Sequence, residues 1–284
     1  SQRKVLYAGF KKNLQNDIKV SQFVGYISEH SAYHHGEMSL INTIIGMAQD
    51  FVGSNNINMY IPSGQFGTRL QGGKDHSSAR YIFTRLNKIA RLIYHPHDDP
   101  ILAYNEDDGM KVEPEFYVPI IPISLVNGAE GIGTGFSTFI PHFSAKEIIE
   151  ELKNRIKAGG NSYKWQQLKP SYKNNKGKIE KLDNQHYISK GSYKITDKSI
   201  EITELPVGVW SNDYKRFLEE ITFGGDRLFS GLENYCTESK VHFVMKIKDK
   251  AAVSKMEREL TDIKSVTKLE KKLKLVIVRL IYQR

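Results

Sequence analysis

The run "GEMSLINTIIGMAQDFVG" at residues 36–53, followed closely by "INMYIP" at 57–62, decides how the first half of this chain folds. In the first stretch Ile41, Ile44, Ile45, Ala48, Phe51 and Val52 recur at intervals that put them on one face of a helix, and Gly53 is placed to stop it. In the second, apolar and polar residues alternate as in a strand, and the Gly-rich "SGQFGTRLQGGKD" (63–75) follows as a turn. Upstream, "RKVLYAGFKK" (3–12) and "SQFVGYISEH" (21–30) carry two more helical patterns, the latter with Val20, Phe23, Val24 and Ile27 at helical spacing. Helices followed by a short β-ribbon is the order of a winged helix, a helix-turn-helix variant that presents one helix to a DNA groove. A generic α+β domain shares the pattern.

Working outward from there, Ser77 or Ser78 is expected to cap a further helix with Ile82, Leu86, Ile89, Ala90 and Ile93 as its apolar face. The acidic "HDDPILAYNEDDGMKVEPE" (97–115) reads as a linker. Beyond Pro114 the texture changes to β-branched runs punctuated by proline and glycine, "YVPIIPISLVNGAEGIGTGFSTFIP" (117–141), which signal strands and turns. A helix is expected in "SAKEIIEELKNRIK" (144–157), with Ile148, Ile149, Leu152 and Ile156 on one face, and strands in "SIEITELP" and "KVHFVMKI". Val253, Met256, Leu260 and Ile263 give the tail a helical and coiled-coil spacing. The expected fold is α+β and multidomain, with domains at 1–114, 115–250 and 251–284.

Composition bounds the function. At 284 residues and 39% hydrophobic content the chain can bury more than one core, and it holds no apolar run long enough to span a membrane. Cys236 is the single cysteine, which excludes an intrachain disulfide or a cysteine-built zinc cluster and favours a reducing compartment. The opening "SQRKVLYAGF" has neither an initiator Met nor a signal core, and reads as a piece of something longer. The net charge is +9, and residues 152–179 concentrate eight bases with no acid, interleaved with Tyr163, Trp165 and Tyr172. Lys164 lies in this stretch, which suits a polyanion and equally a solvated basic loop.

Four constellations bear on chemistry. In "ARYIFT" (79–84), Arg80 and Tyr81 stand side by side near an expected helix start, where unpaired N–H groups would favour an anion. A phenol with a reference pKa of about 10 needs help to attack phosphorus, and an adjacent guanidinium can hold phosphate oxygens and stabilise the charge that develops. Tyr81 is therefore a nucleophile or simply an aromatic beside an arginine. In "AYHHGEMS" (32–39), His34 and His35 precede the most regular helix and can donate to phosphate or move a proton. No third ligand except Glu37 is spaced for a metal, so no metal site is expected. In "GQFGTRLQGGKD" (64–75) the glycines let backbone approach a polyanion, with Arg69 and Lys74 as point contacts. "NGAEGIGTG" (127–135) fits neither the dinucleotide nor the phosphate-loop pattern. What it offers is Ile132 between two glycines, which exposed could wedge between base pairs and buried would be ordinary.

The ordered set "QRKVLY", "AYHHGEMSL", "AQDFVGSNN", "GQFGTR", "GGKD", "ARYIFT", "VEPEFYVPIIP" and "LVNGAEGIGTGFST" resembles the eukaryotic type IIA DNA topoisomerases, and "ITELPVGVW" extends the likeness to about residue 210. The resemblance implies a winged-helix domain carrying a DNA-cleaving tyrosine, a tower domain and the base of a coiled coil. It places the tyrosine at Tyr81 with Arg80 and His35 as catalytic partners. Arg3 falls near the scissile phosphate, Ile132 at the intercalating position, and His34, Ser39, Arg69, Lys74 and Lys164 among the further DNA contacts. Double-stranded DNA, a homodimer, a nuclear location and no membrane are implied. So are Mg2+ and ATP, both bound by domains that precede this region in the family. A non-catalytic winged-helix DNA-binding module and a tyrosine recombinase are the alternatives. The tail "LEKKLKL" and "VRLIYQR" departs from the family's continuous pattern.

Overall fold

The computed structural model describes residues 1–133, 136–159, 163–183, 186–224, 229–248 and 269–274. The chain divides into two compact units, the first made of residues 1–50, 54–68 and 73–126, the second of 51–53, 69–72 and 127 onward.

The first unit opens with α1 (Gln2–Lys11), the two-residue strand β1 (Ile18–Lys19), α2 (Val20–Ser31) and α3 (Glu37–Ala48). The apolar faces of these helices converge: Val5, Leu6 and Ala8 of α1 meet the expected Val20, Phe23, Val24 and Ile27, and Ile44 and Ile45 close the cluster with Leu40, while Ile41 is only partly buried. Strands β2 (Tyr60–Ser63) and β3 (Phe83–Leu86) pair antiparallel, with β3 in the centre of the order β1-β3-β2. Tyr60 locks this sheet to α1, its buried hydroxyl donating to the Val5 carbonyl at 2.7 Å. The unit continues with α4 (Lys88–Ile93), the hairpin β4 (Tyr104–Asp107) and β5 (Met110–Pro114), and the one-turn helix α5 (Ile123–Val126).

Three expectations change here. The helix foreseen from Ser77 or Ser78 is a strand over its first part and a helix only from Lys88, capped by the Asn87 side chain accepting from Ile89 N–H. Ile82 and Leu86 fit a helical period, but β1 and β2 flank β3 on both sides and satisfy its backbone, which outweighs local periodicity. Helix α3 stops at Ala48, short of Gly53, because Asn55 Nδ2 takes the Gly46 and Gln49 carbonyls at 2.7 and 2.9 Å and ends the ladder. Within the run 117–141, Ile123–Val126 is helical rather than extended.

The second unit begins with the hairpin β6 (Ala129–Gly133) and β7 (Phe136–Ile140), then α6 (Ala145–Lys157) with Ser144 at its N-cap. At the base of the hairpin, His142 stacks on Tyr172 with ring centroids 4.5 Å apart. Strands β8 (Lys178–Lys181), β9 (His186–Lys190), β10 (Ser192–Ile195) and β11 (Ser199–Glu204) follow, then α7 (Ser211–Phe223), β12 (Phe229–Asn234) and β13 (Phe243–Ile247). The order β10-β11-β13-β12 forms an antiparallel sheet whose inner residues Ile200, Ile202, Phe243 and Met245 pack on Tyr214 and Leu218 of α7. The helical expectation for the tail falls on 251–268 and 275–284, outside the described residues. Between them Glu270–Lys274 is a strand, β14, because it completes the ladder on the free edge of β9.

Candidate nucleic-acid interface

Arg80 and Tyr81 sit in a turn between the buried Ala79 and Ile82, and both point outward; Tyr81 is 70% exposed. The turn is held from beneath. Tyr81 N–H donates to Ser78 O at 2.9 Å, while Ser21 and Val20 at the start of α2 donate to Ala79 O and Ile82 O at 3.1 and 3.0 Å. The guanidinium carbon of Arg80 lies 5.9 Å from the Tyr81 ring centroid, so cation and phenol present one surface. Tyr81 is not in the first turn of a helix, and the anion-favouring field expected there is not its own. Anchored backbone and free side chains are what a reaction on a bulky external strand needs.

A second cluster lies past the C-terminal end of α2. His34 and His35 are exposed in the link to α3, whose N-cap is Gly36 at φ +86° with no side-chain cap, so the first-turn N–H groups of α3 are left for an external acceptor. Exposed Ser39 is in that first turn. Tyr33, unremarked in the sequence, organises the group: its ring meets His35 edge-on at 5.4 Å and its hydroxyl lies 3.3 Å from Ser1 Oγ. Hydrogen bonds with Ser1 and Ser39 hold that phenol below its usual range. Arg3 is exposed in the first turn of α1, one residue beyond its start at Gln2. The "YHH" order was the available signal for Tyr33.

Within one chain these clusters are not brought together. The Tyr81 turn is docked on the first residues of α2, and His35 follows its last; twelve residues of helix separate the ends by about 18 Å.

Lys74 is exposed in a loop braced by Thr68 N–H to Asp75 Oδ1 at 2.8 Å and by Gln49 Nε2 to Phe66 O at 2.9 Å. Arg69 corrects an expectation. Its side chain is buried, 3% exposed, and paired with the equally buried Glu204, so it has no guanidinium face to offer phosphate. Ile132 is 88% exposed on β6, opposite Ser137; the turn residues 134 and 135 lie outside the described set. Lys164 is exposed beside Trp165, whose indole is covered by Arg155 at 4.9 Å. The buried carboxylate of Glu151 fixes this stretch by accepting from Tyr163 Oη and Gln166 N–H, each at 3.0 Å. Of the expected apolar face of α6, Ile148 is buried and Ile156 is exposed.

Among the described residues no three His, Cys, Asp or Glu side chains cluster as metal ligands, and no Gly-Lys-Ser/Thr loop is present. Among the described residues no donor set therefore fits Mg2+. No helix among the described residues is long and apolar enough to cross a membrane.

An exposed tyrosine beside an arginine, on a helix-and-ribbon unit with bases at its rim, suits a protein that processes DNA, and comparison with known proteins gives the family. The chain belongs to the family of the DNA gyrase/topoisomerase IV A subunits, whose model matches residues 1–283. It is 53% identical over 233 residues to the probable DNA topoisomerase 2 of Dictyostelium discoideum, which covers 80% of this chain and 15% of that protein. With the DNA topoisomerase 2 of Plasmodium falciparum it shares 50% identity over 261 residues, 91% of this chain and 18% of the other. The crystal structure of the Plasmodium falciparum topoisomerase II DNA-binding, cleavage and re-ligation domain superposes with a TM-score of 0.90 at 49% identity, covering 96% of this chain and 37% of that one. The chain thus spans less than a fifth of the length of these curated relatives.

Proposed function

We propose that this chain is the DNA-cleaving segment of a type II DNA topoisomerase, with Tyr81 as the nucleophile. The observation that carries it is the outward Arg80–Tyr81 pair on a turn whose neighbours Ala79 and Ile82 are buried. Tyr81 Oη gives up its proton and attacks a backbone phosphorus; a 5′-phosphotyrosyl ester forms, the bond to the 3′ oxygen breaks, and that oxygen takes up a proton to become the 3′-hydroxyl that later reverses the step. Arg80 stabilises the charge that builds on the phosphoryl oxygens. A divalent cation held by other parts of the longer protein would supply charge neutralisation at the leaving oxygen, and ATP bound there would supply the energy for strand passage.

In this reading the first unit is a winged helix with α3 facing duplex DNA, and β2 and β3 form the wing. The second unit is the tower, which supports the bent duplex around Ile132. Because His35 follows the end of α2 opposite to the one that carries the Tyr81 turn, the phosphate site is assembled from two copies: His35 and Arg3 of one serve Tyr81 of the other. The protein acts as a homodimer on nuclear double-stranded DNA, without a membrane.

The test is covalent trapping. Full-length protein, labelled duplex and metal, denatured rapidly, retain label on the wild-type chain, and Tyr81→Phe loses it. A heterodimer of Tyr81→Phe with His35→Ala carries one intact composite site and nicks one strand. Salt-sensitive binding with no adduct under any metal condition would identify a non-catalytic module, and label on the 3′ phosphate a recombinase.

A further inference from the structure

A cleft of about 240 Å³ opens in the first unit between the exposed side of α1 and the β4–β5 hairpin. Tyr7, Phe10, Tyr104 and Tyr117 line it. Tyr7 and Tyr104 are inclined at 60° with centroids 6.3 Å apart, and Tyr117 meets Phe10 edge-on at 5.7 Å. The Tyr7 hydroxyl donates to Lys111 O at 3.0 Å, which ties the hairpin to α1.

The charges are unequal. Asp99, the acid of the cleft, is held by Arg91 at 2.5 Å and is thereby neutralised. Lys111 lies 3.7 Å over the Tyr104 ring and Lys11 5.6 Å from the Tyr7 centroid, and neither has a carboxylate partner among the described residues. Burial keeps the Tyr104 and Tyr117 phenols above their usual range, so they remain neutral donors. A cationic ligand would meet two ammonium groups, and a purely apolar one would leave both of them without a counter-charge. An aromatic anion satisfies both.

We infer that this cleft is a nucleotide site, taking a base against the tyrosine rings with its phosphate on Lys11 and Lys111. Size agrees: drug-sized ligands need about 300–1,000 Å³, so this space admits one base-sized ring system and leaves the phosphate at the lysine rim. Arg91 holds both carboxylate oxygens of Asp99, so preference comes from the rings: a purine covers more aromatic surface than a pyrimidine, which favours adenine over thymine. Base stacking on aromatics with phosphate on lysine is shared by free nucleotides and by an unpaired strand.

The test uses this chain with adenosine 5′-monophosphate in saturation-transfer NMR, beside ribose 5-phosphate and thymidine 5′-monophosphate. Expected are binding of the adenine nucleotide, weaker binding of the thymine one, and none of the sugar phosphate. Lys111→Gln, an exposed change that keeps the melting temperature, weakens binding about fivefold, and Tyr104→Leu abolishes it. Equal binding of adenosine monophosphate and ribose 5-phosphate, or an affinity unmoved by Lys111→Gln, overturns the assignment. Competition by a single-stranded oligoadenylate assigns the occupant to an unpaired strand, and its failure to compete to a free nucleotide.

Discussion

Replacing Arg69 by alanine isolates the one expected DNA contact that the structure turns inward. In the native chain Glu204 accepts from Arg69, from its neighbour Leu205 N–H at 2.9 Å and from Lys176 N–H at 3.1 Å, with both charged side chains almost wholly removed from water. Removing one partner of a buried pair costs about 3–5 kcal/mol. For a unit of this size about 2–4 °C accompany each kcal/mol, so the melting temperature falls by about 6–20 °C. The two tryptophans, Trp165 and Trp210, both lie in the second unit, so urea titration followed by their fluorescence reads that unit directly. Arg69→Met with Glu204→Gln, which retains an acceptor for the two N–H groups, recovers most of the loss. The salt dependence of DNA binding stays at its native slope in Arg69→Ala, whereas Lys74→Ala lowers the slope by about one. A variant within about 1 kcal/mol of native stability, or one that flattens the salt slope as Lys74→Ala does, would refute the structural role of Arg69.

A Cβ added at Gly9 would collide with the Tyr60 hydroxyl oxygen; Gly9→Ala therefore costs about 1–3 kcal/mol, and Tyr60→Phe relieves part of it, so strictly additive losses in a double-mutant cycle would contradict the contact. His142 is half-buried against Tyr172, and its desolvation holds its pKa down at about 4. Because the unfolded chain takes up a proton first, the second unit is at full stability above pH 6.5 and loses on the order of 1–3 kcal/mol as pH falls from there toward 4. In His142→Phe that slope is absent; an unchanged slope in urea titrations across the window would dismiss the histidine as its source. Ile132→Ala leaves duplex affinity near native but reduces the bend seen by energy transfer between end labels, and an undiminished bend would remove the wedge role.

The helices α1, α2 and α3 were legible because each buries one face against the others, and a buried face leaves a helical period in the sequence. Strand β3 was not: Ile82 and Leu86 satisfy that period too, and the β1 and β2 partners that decide the matter lie far away in the chain. Arg69 shows the same limit, since an arginine in a glycine-rich loop reads as a phosphate contact until Glu204, 135 residues on, is folded against it. Exposure of Tyr81, Ile132 and Lys164 could be anticipated only as one of two outcomes, because residue type leaves open whether a side chain packs or projects. The bracing of His35 by Tyr33 and of Trp165 by Arg155 was invisible for a related reason: edge contacts and cation–π pairs follow from rotamers, not from spacing.

Mass spectrometry of the trapped complex addresses the proposal at its centre. After nuclease trimming, trypsin releases the peptide Tyr81–Arg85 between Arg80 and Arg85. The account predicts a nucleotide remnant on that peptide, joined through the 5′ phosphate to the Tyr81 oxygen; a remnant on any other residue, or a 3′ linkage, contradicts it.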